Sequence, residues 1–185
     1  MNLIVFSGSY RPKRQSHQVA VEVHKRLQKL GHTVTLLDVR ELDFPLLDDT
    51  LDKLENPSEK LKETSAAIAA AHGLVLVSPE HNNSFSGALK NTMDYFYKEY
   101  HYKVFGIVGV SSGMLGGITA TAKMEQYAIR LKGIVQPNVL ITPKVQTLFQ
   151  DGQLTDSGYS DRMDKFLEEF IWLTEAIKNA APLNK

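Results

Sequence analysis

Three stretches of this chain bring together residue types that can hold an anion or a flat polar ring. The first, "SGSYRPKRQSHQ" (7–18), collects three basic residues, three serines, a proline and a glycine. It follows the apolar run "NLIVF" and precedes a helical pattern, so a strand hands the chain over to a helix N-terminus. Free backbone N–H groups and the positive end of a helix dipole meet there. Ser9 and Ser16 add hydroxyls, and Arg11 adds a planar fork suited to phosphate. No Gly-Lys-Ser/Thr follows, so this is not a Walker A loop, and it does not read G-x-G-x-x-G, so a dinucleotide fingerprint has little support. The plainer alternative is a solvated basic loop in which Ser16 caps the helix.

The second stretch, "SPEHNNSFSGALKN" (78–91), leaves a strand through Pro79, Glu80, His81, Asn82 and Asn83. Proline stiffens the turn, and Asn82 can both donate and accept hydrogen bonds, as the imide edge of a heterocycle requires. An ordinary loop with Ser84 or Ser86 as helix cap is the competing reading. His81 has no acid or base partner that spacing can assign, so it is not read as a general base.

The third stretch, "GVSSGMLGG" (109–117), has four glycines in nine residues. These let the backbone come close to a ligand or take positive φ. The G-x-S-x-G spacing also matches a hydrolase nucleophile elbow, which would need an acid and then a histidine downstream. All six histidines (17, 24, 32, 72, 81 and 101) precede Ser111, and that order excludes the hydrolase. A phosphate end, a polar edge and a glycine-rich wall together suit a phosphorylated planar cofactor such as FMN.

These stretches need a frame that brings them to one place. Apolar runs at 3–6, 32–39, 73–78, 103–111 and 135–142 read as strands. Helical spacing over about 16–30, 58–72, 84–100, 117–132 and 160–179 reads as five helices, with Ser58 as a cap. Residues 40–57 read as a long loop, and 48–57 and 150–160 as irregular. Strands 1, 3 and 4 are apolar on both faces, which implies a parallel sheet covered by helices on both sides. In such a sheet ligands bind beyond the carboxyl ends of the strands, where the strand order reverses. The three stretches leave those ends.

Composition narrows the function classes. The 185 residues suit one domain, and 21 basic against 21 acidic residues leave no net charge. That gives no support to a nucleic-acid partner and argues against an acidic carrier that docks by charge. There is no cysteine, so disulfides, thiolate nucleophiles and cysteine-ligated clusters are excluded. No run approaches the length of a membrane span, and no leader pattern opens the chain. A cytoplasmic protein with no membrane partner and no metal is expected.

The chain resembles the NADPH-dependent FMN reductases of flavodoxin-like fold. The family pattern G-S-x-R followed by serine appears as Gly8, Ser9, Arg11 and Ser16. The pattern P-E-Y-N-x-S-x-x-x-x-L-K-N-x-x-D appears as Pro79, Glu80, His81, Asn82, Ser84, Leu89, Lys90, Asn91 and Asp94. The pattern G-x-S-x-G-x-x-G-G appears as Gly109, Ser111, Gly113, Gly116 and Gly117. The resemblance spans roughly residues 2 to 145, and His81 departs from it where the family often has tyrosine.

The resemblance implies a flavodoxin-like doubly wound α/β fold, with a five-stranded parallel sheet in the order 2-1-3-4-5 between two helical layers. It implies that Ser9, Arg11, Ser16 and their neighbours His17 and Gln18 hold the FMN phosphate. Pro79, Glu80, His81 and Asn82 would line the isoalloxazine, and Ser111, Gly113, Gly116 and Gly117 would close its other edge. Lys90, Asn91 and Asp94 would be structural. NADPH (or NADH) would supply a hydride, with Lys13, Arg14 or a partner-subunit residue reading the 2′-phosphate. A quinone, azo compound, metal oxyanion or free flavin would take the electrons. No side-chain catalyst is named. The rivals are an electron-carrying flavodoxin and a flavin-sensing interaction protein. Tyr95, Phe96, Tyr97, Tyr100 and Tyr102 are too many for one core stripe: the plain reading splits them between core and half-exposed surface, and the sharper one, which the resemblance also implies, is a homodimer or homotetramer through the helices after strands 3 and 4.

Overall fold

A computed structural model describes residues 1–180. In chain order the elements are β1 (Asn2–Ser7), α1 (Ser16–Lys29), β2 (Thr33–Asp38), α2 (Val39–Leu42), α3 (Glu59–Ala70), β3 (Gly73–His81), β4 (Ser84–Phe85), α4 (Gly87–Asp94), β5 (Val104–Val110), α5 (Ile118–Arg130), β6 (Ile134–Val135), β7 (Leu140–Thr142), β8 (Phe149–Gln150), β9 (Gln153–Leu154) and α6 (Ser157–Asn179). The parallel strands run in the order β2-β1-β3-β5, with β6 and β7 sharing the outer edge of β5. That is the doubly wound order of flavodoxin-like proteins, with the reversal between β1 and β3.

The period-two alternation of the central strands explains the three layers. In β1, Leu3 and Val5 face one core with α1 and α6, while Ile4 and Phe6 face the other with α3, α4 and α5. In β3, Val75 and Val77 face the first core, and Leu74 and Leu76 the second. All eight side chains are at most 1% exposed. Each such burial is worth roughly 1.5–3 kcal/mol, so the strands that deliver the loops are the most firmly held parts of the molecule.

Three local expectations are corrected. The helix read over 84–100 is a two-residue strand, a short helix and a 3₁₀ turn at Lys98–Tyr100. Asn82 and Asn83, with φ of 49° and 61°, turn the chain back so that His81 pairs with Ser84. Two consecutive positive φ values are what a two-residue hairpin needs, and asparagine tolerates them. Ser86 then caps α4 by accepting from the Leu89 N–H at 3.1 Å. The fifth strand splits into β6 and β7 around Pro137, which has no N–H to give a ladder. Residues 150–160 are ordered: Asp151 and Gly152 turn the β8–β9 hairpin, and Asp156 caps α6 through the Tyr159 N–H at 2.7 Å.

The aromatic cluster divides between inside and outside. Tyr95, Phe96 and Tyr100 are buried, whereas Tyr97 and Tyr102 are about half exposed. No helix among the described residues is long and apolar enough to cross a membrane.

Candidate active site

The loops leaving β1, β3 and β5 converge on one cleft of about 160 Å³. Ser9, Arg11 and Lys13 come from the loop after β1 and Ser16 from the start of α1, Pro79, Glu80 and His81 from the carboxyl end of β3, and Ser111 and Ser112 from the loop after β5, whose last residue Val110 also lines it. The turn after β7 closes it with Val145.

At one end lies the start of α1. Its N-cap, Gln15, is helical in conformation and makes no side-chain cap bond, and the first turn carries no acid. Ser16 is therefore the first helical residue and not the cap that sequence allowed. It is 3% exposed, and its Oγ has no hydrogen-bond partner. A buried hydroxyl left unpaired costs about 1–3 kcal/mol, so this hydroxyl, which no protein group bonds, is suited to a polar ligand. Among the described residues Arg11 and Lys13 make no ion pair. Gly8 sets the path of the loop, because a Cβ there would lie 2.8 Å from the Val77 carbonyl oxygen. The Gly8 N–H donates to that oxygen at 2.8 Å, and Ser86 Oγ donates to the Gly8 carbonyl.

His17 and Gln18 adjoin this end but do not line the cleft. The His17 ring lies 3.0 Å from Ser7 Oγ and 3.4 Å from Asp38 Oδ2. Burial and the nearby Arg14 charge push its pKa down, so it is neutral near pH 7. Gln18 donates to Gln15 Oε1 at 2.8 Å. Arg14 reaches the cleft, but its guanidinium is engaged by Asp38.

The second loop carries Pro79 and His81 along the cleft wall. Asn82 sits in the hairpin turn, outside the lining. The Glu80 carboxylate has a structural role, since Oε2 accepts from the Thr119 and Ala120 N–H groups, both at 3.1 Å. It thereby caps α5, whose own N-cap position is the glycine Gly117. His81 Nε2 is buried without a partner, and burial, with the Arg11 charge, lowers the ring's pKa.

The third loop is shaped by its own backbone. The Ser111 N–H donates to the Thr142 carbonyl at 3.0 Å, and Ser111 Oγ accepts from the Gly113 N–H at 3.0 Å. Gly113, Gly116 and Gly117 are absent from the lining. Gly117 has φ of 87°, and a Cβ there would stand 2.6 Å from the Val110 nitrogen. Gly116 packs in the same way against Pro143. These glycines let the loop fold down onto β5 and β7, which presents Ser111 and Ser112 to the cleft.

Sequence reasoning missed Val145. Its signal was slight, a turn after the last strand, and the broken β6–β7 edge obscured where that strand ended. The matched Lys90, Asn91 and Asp94 are structural. Lys90 pairs with Asp94, which also accepts from Tyr127 Oη at 2.6 Å and so ties α4 to α5. Asn91 holds the loop before α3, donating to the Pro45 carbonyl at 2.7 Å and accepting from the Leu47 N–H at 2.8 Å.

The sequence model of the family described as NADPH-dependent FMN reductase matches residues 1–147. The chain belongs to that family. An NADPH azoreductase of a Bacillus species is 28% identical over 159 residues, covering 85% of this chain and 84% of the relative. A quinone reductase of Pseudomonas putida is 27% identical over 178 residues, covering 92% and 90%. Among solved structures, the flavoenzyme NAD(P)H:acceptor oxidoreductase FerB of Paracoccus denitrificans superposes with a TM-score of 0.80 at 22% identity, covering 94% of this chain and 97% of that one. As a family member the chain is an FMN-dependent NAD(P)H oxidoreductase. The residues present fit FMN, because the unpaired Ser16 hydroxyl and the uncapped start of α1 offer donors where a phosphate can be received.

Proposed function

We propose that this cleft is the FMN site of an NADPH oxidoreductase whose electron acceptor is a small molecule, with quinones and azo compounds the first candidates. The buried Ser16 hydroxyl at the uncapped N-terminus of α1 carries this reading. Ser9, Arg11 and Ser16 hold the phosphate, with Arg11 and Lys13 supplying charge. Pro79 and His81 border the ring on one side, and Ser111 and Ser112 on the other. Bound FMN supplies the redox chemistry, accepting a hydride and passing electrons on. The chain's residues would orient the cofactor in a cleft that a donor and then an acceptor could enter. Arg14 is committed to Asp38 and Arg11 to the FMN phosphate, so Lys13 or a partner-subunit residue is left to meet the 2′-phosphate of NADPH. Reduced pyridine nucleotides are kept inside cells, which supports a cytoplasmic role. The whole described chain serves one fold around this cleft, so a single functional domain is proposed.

The proposal includes a homodimer through α4 and α5. Tyr97, Ile118, Met114 and Leu115 are between 48% and 71% exposed around these helices, more apolar surface than solvent alone favours. Sedimentation of a monomer at micromolar concentration would refute it.

The deciding experiment is an absorbance spectrum of the purified protein with added FMN, followed by anaerobic NADPH. Flavin bands that bleach on NADPH are expected. Bands that bleach only with dithionite would point to a carrier or sensor, and failure to bind FMN would refute the assignment of the cleft.

A further inference from the structure

Asp38 ends β2, and its side chain is 8% exposed; it does not line the cleft. Yet the charged loop closes around it. Arg14 Nη1 donates to Oδ1, and Nη2 donates to Oδ2 at 2.5 Å, a bidentate pair in which the Arg14 side chain is 11% exposed. Arg14 Nη1 also donates to the Ser9 carbonyl at 3.0 Å. Asp38 Oδ2 lies 3.4 Å from His17 Nδ1, and Oδ1 accepts the Arg40 N–H at 3.0 Å. One buried carboxylate thus holds Arg14 by two bonds, reaches Ser9 through it, and lies beside the His17 ring.

This arrangement has two consequences for an anion in the cleft. The Ser9 carbonyl, whose negative dipole would repel a phosphate, is occupied by Arg14. The Arg14 charge is answered by Asp38, so the charge left to attract the anion is that of Arg11, Lys13 and the helix terminus. A bidentate pair fixes orientation as well as distance, which a mobile loop of three basic residues would otherwise lack.

We propose that Asp38 is the positioning residue of the phosphate-binding loop, holding Ser9 and the approach to α1 in place through Arg14 without touching the ligand. The inference rests on the reading of the cleft as an FMN site, and it assigns the residue that shapes it.

The test compares FMN with riboflavin, which lacks the phosphate, in fluorescence titrations of the full-length protein. The variants are Asp38→Asn, Arg14→Gln and the double substitution. Each single variant should weaken FMN about tenfold, the middle of the range for residues in one network, while riboflavin is unaffected. The double variant should be no weaker than either single one, because both remove the same pair. NMR titration of His17 adds a readout that a general loosening would not give. The midpoint should fall in Asp38→Asn, which removes an attracting charge, and rise in Arg14→Gln, which removes a repelling one. Arg14→Gln lies in the loop, so it carries the test if Asp38→Asn fails to fold. Unchanged or tighter FMN binding in the variants, equal weakening of FMN and riboflavin, or an unmoved His17 would overturn the inference. A wild-type protein that does not prefer FMN to riboflavin would overturn the reading of the cleft itself.

Discussion

Replacing Ser16 by alanine should move stability and affinity in opposite directions. No protein group bonds the buried hydroxyl, and a buried hydroxyl without a partner costs about 1–3 kcal/mol. Alanine removes that cost and is a better helix former, so the free variant should be more stable by about 1 kcal/mol. For a chain of this size that raises Tm by about 2–4 °C. With FMN bound, the variant lacks a hydrogen bond to a charged group, worth about 1.5–3 kcal/mol. Its dissociation constant should rise roughly 10- to 150-fold. At FMN a hundred times the wild-type Kd, the wild type gains about 2.7 kcal/mol from ligand binding, and a variant weakened a hundredfold gains about 0.4. The order of stabilities then reverses. Thermal unfolding with and without FMN, together with fluorescence titration, reads both halves. A free variant that is less stable and binds FMN as before would show that the hydroxyl serves the fold, and would refute the reasoning.

Three further outcomes are expected. Glu80→Ala should cost about 1 kcal/mol in urea unfolding, as the loss of an N-cap does, because the Thr119 and Ala120 N–H groups lose their acceptor; unchanged stability would refute that role. Gly117→Ala should cost more than about 1 kcal/mol, since φ is 87° and the new Cβ would stand 2.6 Å from the Val110 nitrogen; a neutral result in the same assay would contradict the geometry. The histidines His17, His32 and His81 all have pKa values pushed below 6.5, each mainly by burial. The unfolded chain therefore binds protons more readily than the folded one. The stability they support is present above about pH 6.5 and lost as pH falls from there toward the folded-state values. Urea unfolding from pH 7.5 to 5.5 should show that loss, and His17→Gln combined with His81→Gln should reduce it; an identical slope in the variant would refute it.

The layers were legible because apolar runs buried on both faces, such as Leu3 to Phe6 and Leu74 to Val77, have few other uses than a covered parallel sheet. The alternation of strands and helices points to the parallel sheet and so to a cleft at the carboxyl ends of its strands, whereas the strand order comes from the family resemblance. What the sequence hid were matters of side-chain commitment. Ser16 has the composition of a cap, and only the helical geometry of Gln15 shows that it is not one. Arg14 and Arg11 look alike in a basic loop, but Asp38, 24 positions further along than Arg14, claims one and leaves the other. Asn82 has the makings of a hydrogen-bonding group for a ring edge, but with Asn83 it forms a backbone turn in the structure. The glycine-rich spacing suggests a wall, whereas Gly116 and Gly117 pack against the ends of β7 and β5.

The Glu80 carboxylate joins two loops that the chain separates by almost forty residues. Because it closes the open end of α5, the hairpin after β3 and the glycine-rich loop are a single mechanical part. That limits how the scaffold can be recombined. A hairpin grafted from a relative keeps the start of α5 anchored where it carries the glutamate of the family pattern, and loses that anchor where it does not. Exchange of the hairpin is then expected to succeed when that carboxylate travels with it and to fail when it is replaced.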